Sequence, residues 1–289
     1  MKLPTSFIPS KFHIAEYNFL CETWFCSGMS QINNQFGGGI VSNNLVEYEE
    51  NGKHYTFNIR RYKDDDITRI AIVSNNEQEC VTVLIYNGKH EAILNNMTYM
   101  DNCAKQGLKR PGGGSLLLRV IYKYITDRKL NLKIDKLVLS DYSFLHCEKC
   151  GHSLKLSRLK MLLDGETWYT KFGFRPWDQE THKPDLKLLK AYNLNKQIAK
   201  DLTVNDINLH NIIKSINKTE RKISYDPTSI VSIAKNHTNL ASFIKELMKQ
   251  NEKYCCLVEY ILVEIYNPMP PRVPLMYDMY KKPFYIKLL

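Results

Sequence analysis

No run of residues in this chain approaches the roughly 18 to 20 consecutive apolar positions that a membrane-spanning helix needs, so no membrane partner is expected. The opening Met1-Lys2-Leu3-Pro4-Thr5-Ser6 lacks the apolar core of an export signal. A cytoplasmic location is therefore expected, and with it reduced thiols for the 8 cysteines. Solenoid-period repeats and low-complexity tracts are also missing, which excludes repeat arrays, while 44% hydrophobic and 24% charged residues argue against wholesale disorder. The 40 Lys and Arg residues are scattered and form no long basic run. A net charge of +10 still favours phosphate-rich partners, nucleic acid among them. Lys, Asn, Ile and Tyr are abundant, the coding bias of an AT-rich genome; large DNA viruses are one source, with host cytoplasm or virion as the matching location.

The 289 residues suffice for one large domain or two small ones. Asn51-Gly52-Lys53-His54 and Asn87-Gly88-Lys89-His90 repeat one tetrapeptide, each between β-forming segments. Asn-Gly tolerates positive φ at both turn positions and is the strongest short hairpin signal. The spacing predicts strands over Leu45–Glu49, Tyr55–Arg60, Ile67–Ser74, Cys80–Tyr86 and Glu91–Tyr99, an antiparallel meander. After it, Pro111-Gly112-Gly113-Gly114-Ser115 opens onto Leu116–Arg128, whose Leu117, Leu118, Ile121, Tyr124 and Ile125 share one helical face. Ile134–Leu139 reads as a buried strand, Leu154–Leu163 as a helix, and Phe172-Gly173-Phe174 as the start of a last strand ended by Pro176.

Beyond about residue 180 the texture becomes helical over Leu186–Ala199, Val204–Ile216, Ile230–Lys235 and Leu240–Lys249. Tyr254–Ile265 is apolar and of ambiguous type, and Asn267–Leu289 reads as an extended tail rich in Pro and Tyr. Ile14–Cys26 reads as a helix near the start. A boundary near 180 thus separates an α/β domain (1–180) from a mainly helical extension (181–289).

Strand, Gly-rich turn and helix together make a phosphate cradle. The glycines let backbone N–H groups approach, and the helix N-terminus adds partial positive charge. Gly112, Gly113, Gly114 and Ser115 supply such a turn, with Lys109 and Arg110 beside it. No Gly-Lys-Ser/Thr follows, which excludes a P-loop, and the preceding meander excludes a dinucleotide fingerprint. A flexible loop before a helix is the competing reading.

The run Lys109-Arg110-Pro111-Gly112-Gly113-Gly114-Ser115-Leu116-Leu117-Leu118 resembles the coenzyme-binding motif of the GNAT superfamily of acyl-coenzyme A N-acyltransferases. Lys109 stands where Arg or Gln is usual, a point charge in place of forked donors. Gly165-Glu166-Thr167-Trp168-Tyr169-Thr170-Lys171-Phe172-Gly173-Phe174 is similar to the family's second motif, in the family's order, with Phe144–Ser153 as an insertion between. The resemblance covers roughly Val81 to Pro176. It implies an α/β fold with a mixed, mainly antiparallel central sheet flanked by helices. It also implies acetyl- or acyl-coenzyme A as co-substrate and an amine acceptor, either a small molecule or a protein. Tyr169 would then be the general acid at the departing sulfur, with Asp141 or Glu91 as candidate base. Lys109, Arg110 and Gly112 to Ser115 would hold the pyrophosphate.

His146-Cys147-Glu148-Lys149-Cys150-Gly151-His152 carries different chemistry. Cys147, Cys150 and His152 have the spacing of half a zinc site. There is no second Cys-x-x-Cys, so Cys80, Cys103 or a histidine would have to complete it; a redox-active pair and a reduced, ligand-free loop are the alternatives. Cys21, Cys26, Cys255 and Cys256 read as core residues. Two further readings stay open beside the enzyme: a catalytically inactive scaffold of the same shape acting as a binding or virion component, and a zinc-stapled basic nucleic-acid-binding protein.

Overall fold

The computed structural model describes residues 39–108, 112–220, 223–267 and 274–289. Lys109, Arg110, Cys21, Cys26 and the expected helix Ile14–Cys26 lie outside the described residues. The protein is mixed α/β, with a large, mostly antiparallel sheet and many helices. It divides into two compact units: the first ends at Ser140 and takes back Pro283–Leu289, and the second is Asp141–Lys282. The boundary expected near residue 180 falls inside the second unit.

In the first unit, β1 (Gly39–Glu50), β2 (Lys53–Lys63), β3 (Ile67–Val73), β4 (Glu79–Tyr86) and β5 (Glu91–Met97) pair antiparallel in chain order. This is the expected meander. Ile70, Ala71, Ile72, Val73, Cys80, Val81 and Val83 are all buried, so β3 and β4 are covered on both faces and read as apolar runs without alternation. The repeated tetrapeptide makes two different turns. Asn51 and Gly52 both take positive φ, 51° and 73°, and join β1 to β2 as a two-residue turn of the primed type. At the second copy only Gly88 is left-handed among the two, and the Asn87 amide donates to the Asp66 carbonyl at 2.9 Å, so the link is longer.

Helix α1 (Gly113–Thr126) starts three residues before the first predicted position and packs on β4. Its Leu117, Leu118, Val120, Ile121, Tyr124 and Ile125 are buried. Full burial of each Leu or Ile contributes about 1.5 to 3 kcal/mol. A short helix, α2 (Lys129–Leu132), leads to β6 (Lys136–Ser140), which runs parallel to β5. The C-terminal strand β11 (Pro283–Lys287) pairs antiparallel with all of β6, from Pro283 opposite Ser140 to Lys287 opposite Lys136. The tail expected to lie extended on the surface therefore ends as a sheet strand, with Phe284 fully buried.

The second unit opens with a hairpin, β7 (Phe144–Cys147) and β8 (His152–Lys155), formed by the inserted segment. Helix α3 (Leu156–Asp164) follows, then a 3-10 turn over Tyr169–Phe172 and the paired strands β9 (Arg175–Asp178) and β10 (Lys183–Pro184). Phe172 belongs to the turn and Pro176 lies within β9, a correction to the predicted strand. Four helices come next: α4 (Leu186–Asp201), α5 (Leu209–Thr219), α6 (Pro227–Lys235) and α7 (Leu240–Lys249). Each begins at a side-chain cap. Asp185, Asn208, Asp226 and Asn239 accept from N–H groups of the first turn. The ambiguous apolar run is helix α8 (Cys255–Tyr266), buried on nearly all sides, which is why it lacks a polar face to mark its period.

The cysteines correct the expectation of reduced thiols. Cys80 pairs with Cys103 in the first unit, and in the second Cys147 pairs with Cys255 and Cys150 with Cys256. Cys80 and Cys103 thus complete each other and are not ligands for the Cys147 loop. Among the described residues, no helix is long and apolar enough to cross a membrane. The Cys80–Cys103 bond spans a sequence separation of 23, and closing such a loop in the unfolded chain stabilises by about 3 kcal/mol. Replacing both residues with Ala is expected to lower unfolding free energy by about 2 to 4 kcal/mol in a urea titration.

Candidate functional site

The first unit holds a parting between two parallel strands. β5 and β6 pair only at Glu91 with Lys136, Ala92 with Leu137 and Ile93 with Val138. No later pair joins them among the described residues, although both strands continue. Two features accompany this end of pairing. The register between β4 and β5 shifts after Val83–Leu94 to Thr82–Asn96, so Asn95 is an extra residue that bends β5. β6 meanwhile pairs along its full length with β11 on its other edge. Beyond Ile93 and Val138 the C-terminal ends of β5 and β6 thus form a gap in the strand pairing.

The chain leaves β5 and returns through the glycine turn into α1. Gly112 adopts φ +111°, a left-handed value, and provides no side-chain cap. The first intrahelical bond runs from the Leu116 N–H to the Gly112 carbonyl at 2.9 Å, so the N–H groups of Gly113, Gly114 and Ser115 stand ahead of it at the positive end of the helix. No acidic residue occupies the first turn. Gly113 is required for a second reason that the sequence did not disclose. A Cβ there would lie 2.1 Å from Cε2 of Tyr99. The Tyr99 ring is held in place by its hydroxyl, which donates to Asp101 Oδ1 at 2.6 Å and lies 3.1 Å from the Leu108 carbonyl. Of the predicted phosphate-binding residues, Gly112, Gly113, Gly114 and Ser115 form this helix start. Lys109 and Arg110 lie outside the described residues.

The three candidate catalytic residues occupy different places. Glu91 is the first residue of β5, opposite Lys136, where the two strands are still joined. It therefore sits at the closed end of the gap. Asp141 follows the last residue of β6 and is fully buried. Its Oδ1 accepts from the Ser143 N–H at 3.1 Å and from the Ser143 hydroxyl, while Oδ2 has no hydrogen-bond partner. Burial raises its pKa to about 6, partly offset by the two Ser143 bonds. Such a group is ionised at neutral pH yet more basic than an ordinary Asp, the tuning a general base needs. Tyr169 opens the 3-10 turn of the second unit. Its ring is buried, edge-on to Trp168 at 4.8 Å and to Phe174 at 5.9 Å.

The half zinc site proposed from Cys147, Cys150 and His152 does not stand in that form. Both sulfurs are in disulfides, and His152 Nε2 lies 3.0 Å from Glu220 Oε1. With the cysteines so paired, no group of three or more His, Cys, Asp or Glu side chains could hold a metal ion among the described residues. A further buried carboxyl escaped sequence reasoning. Glu259 on α8 has an unpartnered Oε2, and burial raises its pKa to about 7 against the charges of Arg158 and Lys155. Its position in an apolar run is the one signal that could have drawn attention to it.

Comparison of the chain with protein-family models, curated proteins and solved structures returns no match.

The Gly113 contact gives a prediction whose sign reverses with context. Gly113→Ala is expected to cost about 1 to 3 kcal/mol, because the Tyr99 ring must move. In a Tyr99→Ala background the same change is expected to be neutral or stabilising, since Ala is the better helix former. Equal costs in both backgrounds, by chemical denaturation, would refute the contact.

Asp141 gives a second, read against pH. Its folded pKa of about 6 exceeds the unfolded 3.8, so the folded state holds its proton more tightly. Stability associated with this group is complete below pH 3.8 and is lost as pH rises through about 6. A shift of this size corresponds to about 3 kcal/mol. Asp141→Asn is expected to remove that part of the decline from a stability curve taken between pH 4 and 7. A residual decline toward pH 7 is expected from Glu259 and should disappear in Glu259→Gln.

Proposed function

We propose that the protein is an N-acyltransferase that moves an acetyl or other acyl group from a coenzyme A thioester to an amine. The observation that carries this reading is the parting of β5 and β6 after three pairs, in the same unit as an uncapped, glycine-lined helix start. An extended molecule with amide groups along its length and phosphates at one end fits both features. Its amides can take the place of the missing strand pairs, and its pyrophosphate can accept from the N–H groups of Gly113 to Ser115. The bulge at Asn95 supports the same reading, because it falls just where the β5–β6 pairing has ended.

In the reaction the deprotonated amine attacks the thioester carbonyl, the tetrahedral intermediate collapses, and the coenzyme leaves as a thiol. The resemblance gives Tyr169 the role of proton donor to sulfur. For the base, Asp141 offers an unpartnered Oδ2, whereas Glu91 lies where β5 and β6 are still joined.

Calorimetric titration with coenzyme A and acetyl-coenzyme A tests the reading directly. Stoichiometric binding is expected, with a rise in Tm equivalent to about 2.7 kcal/mol at 100 times Kd. With an amine acceptor in hand, Tyr169→Phe is expected to lower kcat by about 100-fold while leaving coenzyme affinity unchanged. Absence of both heat and thermal shift at millimolar coenzyme would sink the proposal.

A further inference from the structure

We propose that the protein, when reduced, binds one Zn²⁺ ion through Cys147, Cys150, Cys255 and Cys256. The sequence offers Cys147 and Cys150 as half of a tetrahedral site and no second Cys-x-x-Cys. The fold supplies the missing half from an adjacent pair more than a hundred residues away. Cys147 and Cys255 have Cα atoms 5.8 Å apart, and Cys150 and Cys256 6.2 Å apart. Four sulfurs are thereby gathered between one hairpin tip and one helix start, all within the second unit.

Both local geometries suit thiolate ligation as well as crosslinking. At the hairpin tip β7 ends on Cys147 and β8 begins on His152. The N–H groups of Cys150 and Gly151 both donate to the Cys147 carbonyl, at 3.3 and 2.8 Å, and Gly151 takes φ +71° to complete the bend. This tight curl turns Cys147 and Cys150 toward the same helix end. Cys255 and Cys256 are the first two residues of α8, a helix of 12 residues. That end has no side-chain cap and no acidic residue in its first turn. A helix N-terminus lowers thiol pKa and offers N–H groups to sulfur, so it favours the thiolate that a metal requires. Four soft thiolates in a closed cluster match Zn²⁺ in a structural, fully coordinated site.

His152 is not part of this set. Its Nε2 faces Glu220, and its ring lies 5.6 Å from that of Tyr260. The ligand set is therefore four cysteines, not three cysteines and a histidine. Cys80 and Cys103, a lone pair in the other unit, are an internal control.

The two states interconvert with a defined balance. A phosphine reductant opens each of the two S–S bonds with two electrons, itself becoming the phosphine oxide with oxygen from water. The resulting thiols then release their protons to the buffer as the metal binds.

The test uses the full chain, reduced with tris(2-carboxyethyl)phosphine without oxygen and titrated with Co²⁺ and then Zn²⁺. One Co²⁺ per chain is expected, with the intense visible bands of tetrahedral thiolate coordination, bleached by equimolar Zn²⁺. Cys150→Ser should weaken binding by more than the ~100-fold that loss of an outer-shell partner costs. His152→Ala and the Cys80→Ala, Cys103→Ala pair should bind like the wild type. Where Cys150→Ser does not fold, alkylation of the reduced wild type replaces it. Zn²⁺ should protect Cys147, Cys150, Cys255 and Cys256 and leave the reactivity of Cys80 and Cys103 unchanged. Substoichiometric metal, a weak octahedral Co²⁺ spectrum, loss of binding in His152→Ala, or zinc protection that spares those four cysteines would each overturn the proposal.

Discussion

The first unit depends on β6 being paired fully on one edge and only partly on the other. Along β11 it makes every available pair, from Lys136 to Ser140, whereas along β5 it stops at Val138. The bulge at Asn95 turns β5 away at the point where pairing would otherwise continue. A buried N–H or C=O left without a partner costs about 1 to 3 kcal/mol, so a sheet does not leave such a gap for free. Beyond Val138 the backbone groups of β5 and β6 therefore need partners other than each other. On the proposed reading, the amide-bearing arm of a coenzyme supplies such partners.

Local rules made much of this unit legible. Asn-Gly turns, apolar strands between them, and a glycine turn before an amphipathic helix are signals confined to a few residues, and each corresponded to an element. What stayed hidden was non-local. The pairing of β11 with β6 joins residues nearly 150 positions apart, and only Phe284 and Ile286 alternate as a hint. The constraint on Gly113 comes from the Tyr99 ring, which no spacing rule relates to it. Asn51 and Asn87 begin identical tetrapeptides, yet the Asp66 carbonyl captures the second and lengthens its turn. Identical letters folded differently because a neighbouring strand end supplied a hydrogen-bond partner.

In the second unit the chemistry was visible as residue types and invisible as partnerships. Cys147-x-x-Cys150 announced sulfur chemistry, but its partners were assigned to the core because Cys255 and Cys256 sit in an apolar run. They are indeed buried, and bonded as well. Glu259 in that same run carries the opposite lesson. A carboxyl among apolar residues must be paired or must give up its charge, and here Arg158 and Lys155 only partly offset burial. Asp141 stands in the same position at the start of the unit, held at one oxygen by Ser143 and unpartnered at the other.

Helix starts tie these observations together. α4, α5, α6 and α7 each begin with Asp or Asn accepting from the first turn, the ordinary solution for orphan N–H groups. α1, α3 and α8 lack such a cap. At α3 the carboxyl of Glu259 accepts from the Lys155 N–H and supplies the negative end that a cap would. At α8 the first turn presents two cysteines, whose thiolates would be stabilised by the same dipole. At α1 the turn is Gly112, Gly113 and Gly114, which bring no side chain to the helix start. Substituting Asn or Ser for Gly112 would restore a cap worth about 1 kcal/mol, at the cost of a left-handed backbone that these residues tolerate less well. A helix start with no side-chain cap, no acid in its first turn and a tyrosine packed against Gly113 is, on the proposed reading, where an anion from outside the chain would sit.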